Sequence, residues 1–130
     1  LVGVEVALVL NQQGIDVTIV EMLPEIMSDC ATTDKIAYAE AIATERITVH
    51  TRERLTKILE DGVEVVDAHD IPHNIKADSV VLATGYCPHG ELVESLKKEA
   101  GIEIFQIGDC RRPGKIYDAI HTAYKTARRI

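Results

Sequence analysis

Apolar residues crowd the start of the chain. Val2, Val4, Val6, Ala7, Leu8 and Leu10 predict a helix. Gly14 stands where that helix stops, because glycine takes the left-handed C′ conformation at little cost. Residues 17–20 (VTIV) are a β-branched run of the kind buried in parallel sheets, with Glu21 at the C-terminal end. A connection carrying Pro24 follows. Residues 34–45 then read as an alanine-rich helix with Ile36, Tyr38, Ala39 and Ile42, which Asp29, Thr32 or Thr33 could cap. Residues 47–50 (ITVH) are a short strand. Helix, strand, helix, strand is the rhythm of a parallel α/β sheet.

The rhythm then changes. Residues 54–59, 63–67 and 71–75 are short segments, and Asp61-Gly62 between the first two is a hairpin signal. They predict a small antiparallel meander inserted into the parallel fold. Residues 79–82 (SVVL) predict a second buried parallel strand, ending in Ala83-Thr84-Gly85. A loop, a short helix at 91–99 and Gly101 follow. Residues 102–107 (IEIFQI) predict a further strand with Gly108-Asp109 at its end. Residues 116–129 close the chain as a helix, with Ile116, Ala119, Ile120, Ala123 and Ala127 at helical spacing.

Composition narrows the function more than the fold. At 130 residues the chain suits one domain with a modest core. A net charge of −7 argues against nucleic-acid binding, which needs clustered cations to neutralise phosphates. Cys30, Cys87 and Cys110 are widely spaced and odd in number, so neither a disulfide framework nor a zinc site is expected. Reduced thiols and the lack of a long apolar span fit a cytoplasmic protein that does not enter the membrane. Nothing in this reading puts His50, His69 and His73 on one face, so no metal is expected there either.

Two places carry candidate chemistry. An acid at the end of a parallel strand can bind the two hydroxyls of a ribose, which assigns that role to Glu21. Gly3 has the context of the third glycine of G-x-G-x-x-G, the one that permits close helix–strand packing. The first strand and the first two glycines would then lie before Leu1. In the second place, Gly108 lets the main chain approach a ligand and the Asp109 carboxylate can accept hydrogen bonds from ribitol or ribose hydroxyls. The following helix offers its N-terminal N–H groups. Plainer readings exist for each: a helix glycine at Gly3 and a turn cap at Asp109.

The order of these segments resembles flavoprotein reductases of the pyridine-nucleotide–disulfide oxidoreductase type, in which an NAD(P) domain is inserted within an FAD domain. The ending I-G-D-C-R-R-P-G-K-I-Y-D-A-I-H-T-A-Y-K-T-A-R and the runs VTIVEMLPEIM and VVLATGYCPHGELVESLK are similar to the NADH:flavin oxidoreductase / 2,4-dienoyl-CoA reductase group of the old yellow enzyme family. The resemblance implies a Rossmann-like α/β fold lacking its first strand, with residues 1–85 from the NAD(P) domain and 86–130 from the end of the FAD domain. It implies NAD(H) rather than NADP(H), since Glu21 would repel a 2′-phosphate. It implies FAD here, and FMN, a 4Fe–4S cluster and a small-molecule substrate in an absent N-terminal barrel. Gly3 would pack beneath the pyrophosphate, and Glu5 would lie near the nicotinamide. Thr84 and Gly85 would line the cleft, and Gly108 and Asp109 would contact FAD, with the last helix toward the flavin. Glu5 could equally be a solvated helix acid and Thr84 a strand-end hydroxyl. No catalytic residue falls within the chain, so substrate chemistry is not expected of it alone.

Two alternatives stay open at this stage: a different flavoprotein such as an NADH oxidase, and a noncatalytic nucleotide-binding or interaction module. A vacant sheet centre would expose backbone groups. Residues 102–107 are therefore expected to move in beside 17–20 or 79–82, giving one compact domain. A dimer or strand swap is the rival solution.

Overall fold

The computed structural model describes residues 1–28, 30–99 and 101–130. Helix α1 (Val2–Gln12) buries Val4, Ala7 and Asn11, which lie three and four positions apart on one stripe. Gly14, at φ +83°, ends it. The Gly14 N–H donates to the Asn11 carbonyl at 2.8 Å and the Ile15 N–H to the Leu10 carbonyl at 3.2 Å. Together they close a Schellman motif that satisfies carbonyls the helix would leave orphaned. The buried Asn11 amide donates to the Ile15 carbonyl at 3.3 Å, which fixes the turn into the next strand.

Strands β1 (Val17–Glu21) and β2 (Ile47–Thr51) pair in parallel, from Val17 opposite Ile47 to Glu21 opposite Thr51. Helix α1 packs on both. A parallel pair needs a crossover, and α2 (Thr32–Thr44) supplies it. Ala31 occupies the cap position of α2 without a side-chain hydrogen bond. Thr32 and Thr33 therefore fall inside the helix instead of capping it, and Asp29 lies outside the described residues.

The meander forms as expected. Strands β3 (Arg54–Leu59), β4 (Gly62–Val66) and β5 (Pro72–Lys76) make an antiparallel sheet in that order. The tight turn falls on Glu60 and Asp61, one residue earlier than the Asp-Gly signal, and Gly62 opens β4 opposite Leu59. Gly62 has φ +152°, and a Cβ there would overlap the Ile75 carbonyl oxygen of β5. As the central strand, β4 holds the buried Val63 and Val65, the latter 0% exposed.

Contacts divide the chain into two units, Leu1–Ala83 and Thr84–Ile130. The second contains α3 (Glu91–Glu99), a single 3-10 turn at Gly108–Cys110 and α4 (Ile116–Ala127). Helix α4 packs on the 3-10 turn. It turns its small residues inward: Ala119, Thr122 and Ala123 are half-buried, whereas Ile116 is 81% and Ile120 62% exposed. The apolar spacing thus marks the helix correctly, but its bulky stripe faces out.

Three expectations about strands fail. Residues 79–82 join neither sheet, and Val81 and Leu82 are 61% and 58% exposed. Residues 102–107 also join neither sheet, so they do not move in beside 17–20 or 79–82. An apolar β-branched run becomes a buried strand only where a neighbour offers backbone groups in register. Among the described residues β1 is paired on one edge only, with β2.

Candidate functional site

Gly3 lies in the first turn of α1, and an ideal Cβ built on it would stand 3.1 Å from the Ala83 Cβ. That is tighter than ordinary side-chain contact. The glycine is thus a close-approach glycine, letting the end of the 79–83 segment reach the N-terminus of α1. The adjacent Thr84 and Gly85 group with the other unit and are exposed, Gly85 at φ +87°.

Glu21 closes β1 on the last rung of the parallel ladder. One carboxylate oxygen, Oε1, accepts the Leu23 N–H at 2.9 Å, which fixes the side chain over the chain bend. An ionised carboxylate accepts about four hydrogen bonds, so capacity remains for a diol. The bend at the end of β2 is held to the same place: the Arg52 N–H donates to the Leu23 carbonyl at 3.0 Å and the Glu53 N–H to the Glu21 carbonyl at 3.1 Å. Arg52 takes the left-handed φ of +61° to allow this. A shallow groove of about 330 Å³ opens here, lined among others by Met22, Pro24, Arg52, Arg54, Asp67 and Asp70. Sequence reasoning missed the two arginines. Their signal was present, since Arg52 follows directly on β2, the strand beside β1, and Arg54 opens the next strand.

Glu5 points along the exposed side of α1 and accepts the Tyr38 hydroxyl at 3.0 Å, tying α1 to α2. That hydrogen bond to a carboxylate holds the Tyr38 hydroxyl above its ordinary pKa, with a smaller contribution from desolvation.

In the second unit, Gly108 has φ +61° and its N–H donates to the Thr122 hydroxyl at 3.1 Å. A Cβ there would meet the Ala119 Cβ at 3.6 Å, an ordinary contact, so conformation and not space selects glycine. Asp109 Oδ1 accepts the Gly114 N–H at 3.2 Å, and Asp118 accepts the Lys115 N–H at 2.9 Å at the start of α4. The turn is thereby folded over the N-terminus of α4, with the Gly108 N–H directed inward.

The structure also brings together residues the sequence reading kept apart. His50, Glu53 and His73 offer ligand atoms that all lie within 4.8 Å of one another, while His69 stays outside the group. They meet because the bend after β2 sets Glu53 beside β5, a proximity no local spacing encodes.

A parallel pair crossed by a helix, a close-approach glycine at a helix N-terminus and an acid ending the first strand define a Rossmann-like α/β unit of the dinucleotide-binding kind. The chain belongs to the pyridine nucleotide-disulphide oxidoreductase family, whose profile matches residues 1–127. It is 35% identical to the NADH oxidase of Thermoanaerobacter brockii over 130 residues, covering all of this chain and 20% of that protein. It is 30% identical to the bilirubin reductase of Mediterraneibacter gnavus (strain CC55_001C) over 128 residues, or 98% of this chain and 20% of the relative. The chain therefore spans about a fifth of the length of the curated relatives it matches. Among solved structures, a 2-naphthoyl-CoA reductase in complex with 2-naphthoyl-CoA superposes with a TM-score of 0.78 at 29% identity, over 99% of this chain and 20% of that one. Histamine dehydrogenase from Rhizobium sp. 4-9 shares the fold, with a TM-score of 0.77 at 19% identity, over 98% of this chain and 21% of that one.

Proposed function

We propose that this chain is the pyridine-nucleotide region, followed by the closing part of the FAD domain, of an NADH:flavin oxidoreductase of the 2,4-dienoyl-CoA reductase group in the old yellow enzyme family. The observation that carries the reading is the close approach of Gly3 to Ala83 in the unit whose first strand ends in Glu21. Residues 1–85 form the nucleotide part and 86–130 the flavin part. The relatives' names, an NADH oxidase and reductases of bilirubin and cinnamate, support an oxidoreductase role for the whole protein. Their fivefold greater length leaves room for a barrel holding FMN and an iron–sulfur cluster outside this chain.

The residues present fit the two groups. Gly3 lets the 79–83 segment pack against the first turn of α1, beneath the pyrophosphate that the helix N-terminus would hold. Glu21 accepts hydrogen bonds from the adenosine ribose hydroxyls and disfavours a 2′-phosphate, which gives NAD(H) over NADP(H). Met22 and Pro24 offer an apolar wall beside that acid. Glu5, steadied by the Tyr38 hydroxyl, faces the nicotinamide end, and Thr84 and Gly85 line the cleft. Asp109 and the turn at Gly108 meet the flavin nucleotide. When bound, the nicotinamide supplies a hydride and the flavin receives it. The residues of this chain bind and orient and do not react.

Calorimetric titration of the 130-residue chain with NADH and NADPH tests this. NADH is expected to bind more tightly. Glu21→Gln is expected to weaken it about 10- to 100-fold, the usual cost of losing a hydrogen bond to a charged group in a binding site. Equal affinities in wild type and variant would remove Glu21 from the ribose site. Absence of binding by either nucleotide would mean that these residues alone do not make the site, and family membership would stand.

The 35% identity to a bacterial NADH oxidase favours a second reading, in which the whole protein passes electrons to dioxygen. NADH-dependent oxygen uptake by the whole protein, without an organic acceptor, separates the two.

A further inference from the structure

We propose that His50, Glu53 and His73 form a divalent-metal site of the zinc type, which clips the bend after β2 to β5. The three residues come from separate parts of the first unit. His50 lies in β2, Glu53 in the bend that follows, and His73 in β5 opposite Val65. The bend is placed by the main chain: Arg52 in its left-handed conformation and the two N–H bonds to the carbonyls of Leu23 and Glu21 leave Glu53 little freedom.

The donor geometry is close to what a small cation needs. His50 Nδ1 stands 3.0 Å from Glu53 Oε1, and His73 Nε2 stands 3.2 Å from Glu53 Oε2. Ligand atoms around a tetrahedral zinc, with bonds near 2.0–2.1 Å, lie about 3.3 Å apart. All three ligand atoms here fall within 4.8 Å of one another, so side-chain rotation without backbone movement closes the set.

One atom in the cluster is poorly served as it stands. Glu53 Oε2 is buried and has no hydrogen-bond partner among the described residues. His73 Nε2 is near enough to it but not aligned to donate. A buried carboxylate oxygen without a donor is costly. A cation between the carboxylate and the two rings would satisfy that oxygen and use lone pairs on both imidazoles at once. Two imidazoles and a carboxylate are a donor set that zinc accepts with a fourth position for water. The His73 side chain is 41% exposed, which gives the ion an entry path and the water a place.

The assignment is independent of the nucleotide reading, and its test needs no cofactor. The full chain is titrated with Zn²⁺ against a chelating indicator, and with Co²⁺ while visible absorption is recorded. One Zn²⁺ per chain is expected, with Co²⁺ bands of nitrogen and oxygen ligation. Loss of even an outer partner of a metal ligand lowers affinity about 10- to 100-fold, so His73→Gln and Glu53→Gln should each weaken binding at least that much. His69→Gln and Cys110→Ser should leave it unchanged. His73 sits on the exposed side of an edge strand, so His73→Gln folds even where Glu53→Gln does not; circular dichroism of each variant verifies this. No zinc uptake, uptake unaltered by His73→Gln, or a thiolate-to-cobalt band from Cys30, Cys87 or Cys110 would each overturn the proposal.

Discussion

Asp67 shows how much one exposed side chain can organise. Its Oδ1 accepts the His69 N–H at 2.8 Å and the Ile71 N–H at 2.9 Å, closing the turn that delivers β5 to the meander. These bonds, with that from Ile71 the larger, hold its carboxyl below its ordinary pKa of 3.8. A carboxyl depressed in the folded state stabilises the fold above its unfolded pKa, and this stabilisation is lost as pH falls through the lower folded value. Urea unfolding at stepped pH should show wild type more stable than Asp67→Asn near neutrality, with the gap closing below about pH 3.8. A gap independent of pH would mean that the charge is not its source. Among single residues, Gly14 as the helix end and Glu21 as the strand end were legible because each place follows from a local element. The His50–Glu53–His73 group was not, because its members are joined only by the pairing of strands distant in sequence.

At the scale of elements, the hairpin from β3 to β4 rests on Gly62. A side chain there would meet the backbone of β5, so Gly62→Ala should cost about 1–3 kcal/mol, read as a lower urea midpoint at unchanged slope. A neutral outcome would show that β5 yields without loss. The helices were readable from periodicity, which reports a face. Strands were readable only where a partner existed. β5 carries Pro72 and a weak pattern, yet it forms because β4 presents an edge to it. The apolar runs at 79–82 and 102–107 have stronger composition but, among the described residues, no strand partner, and composition alone cannot supply one. Helix α4 teaches the same lesson on its own face: spacing marked the apolar stripe, but packing on the 3-10 turn at Gly108–Cys110 brings the small residues inward instead.

At the scale of the molecule, the chain spans about a fifth of its relatives and carries large exposed apolar residues, among them Ile102, Ile116 and Tyr86. Among the described residues no helix is long and apolar enough to cross a membrane. Amide exchange on the chain should therefore be uneven. Val63 and Val65 should exchange slowly, while 80–82 and 102–107, which share no backbone ladder, should exchange within the shortest labelling time. Protection at 102–107 would show that this run finds a partner after all. The parallel ladder carries a different kind of consequence. β1 and β2 match rung for rung up to Glu21 opposite Thr51. One residue inserted within Val17–Glu21 would turn the acid to the opposite face, because side chains alternate along a strand. Residues added to the connection after Pro24 would leave every rung in place. The ladder thus tolerates changes of length in that connection and none within Val17–Glu21.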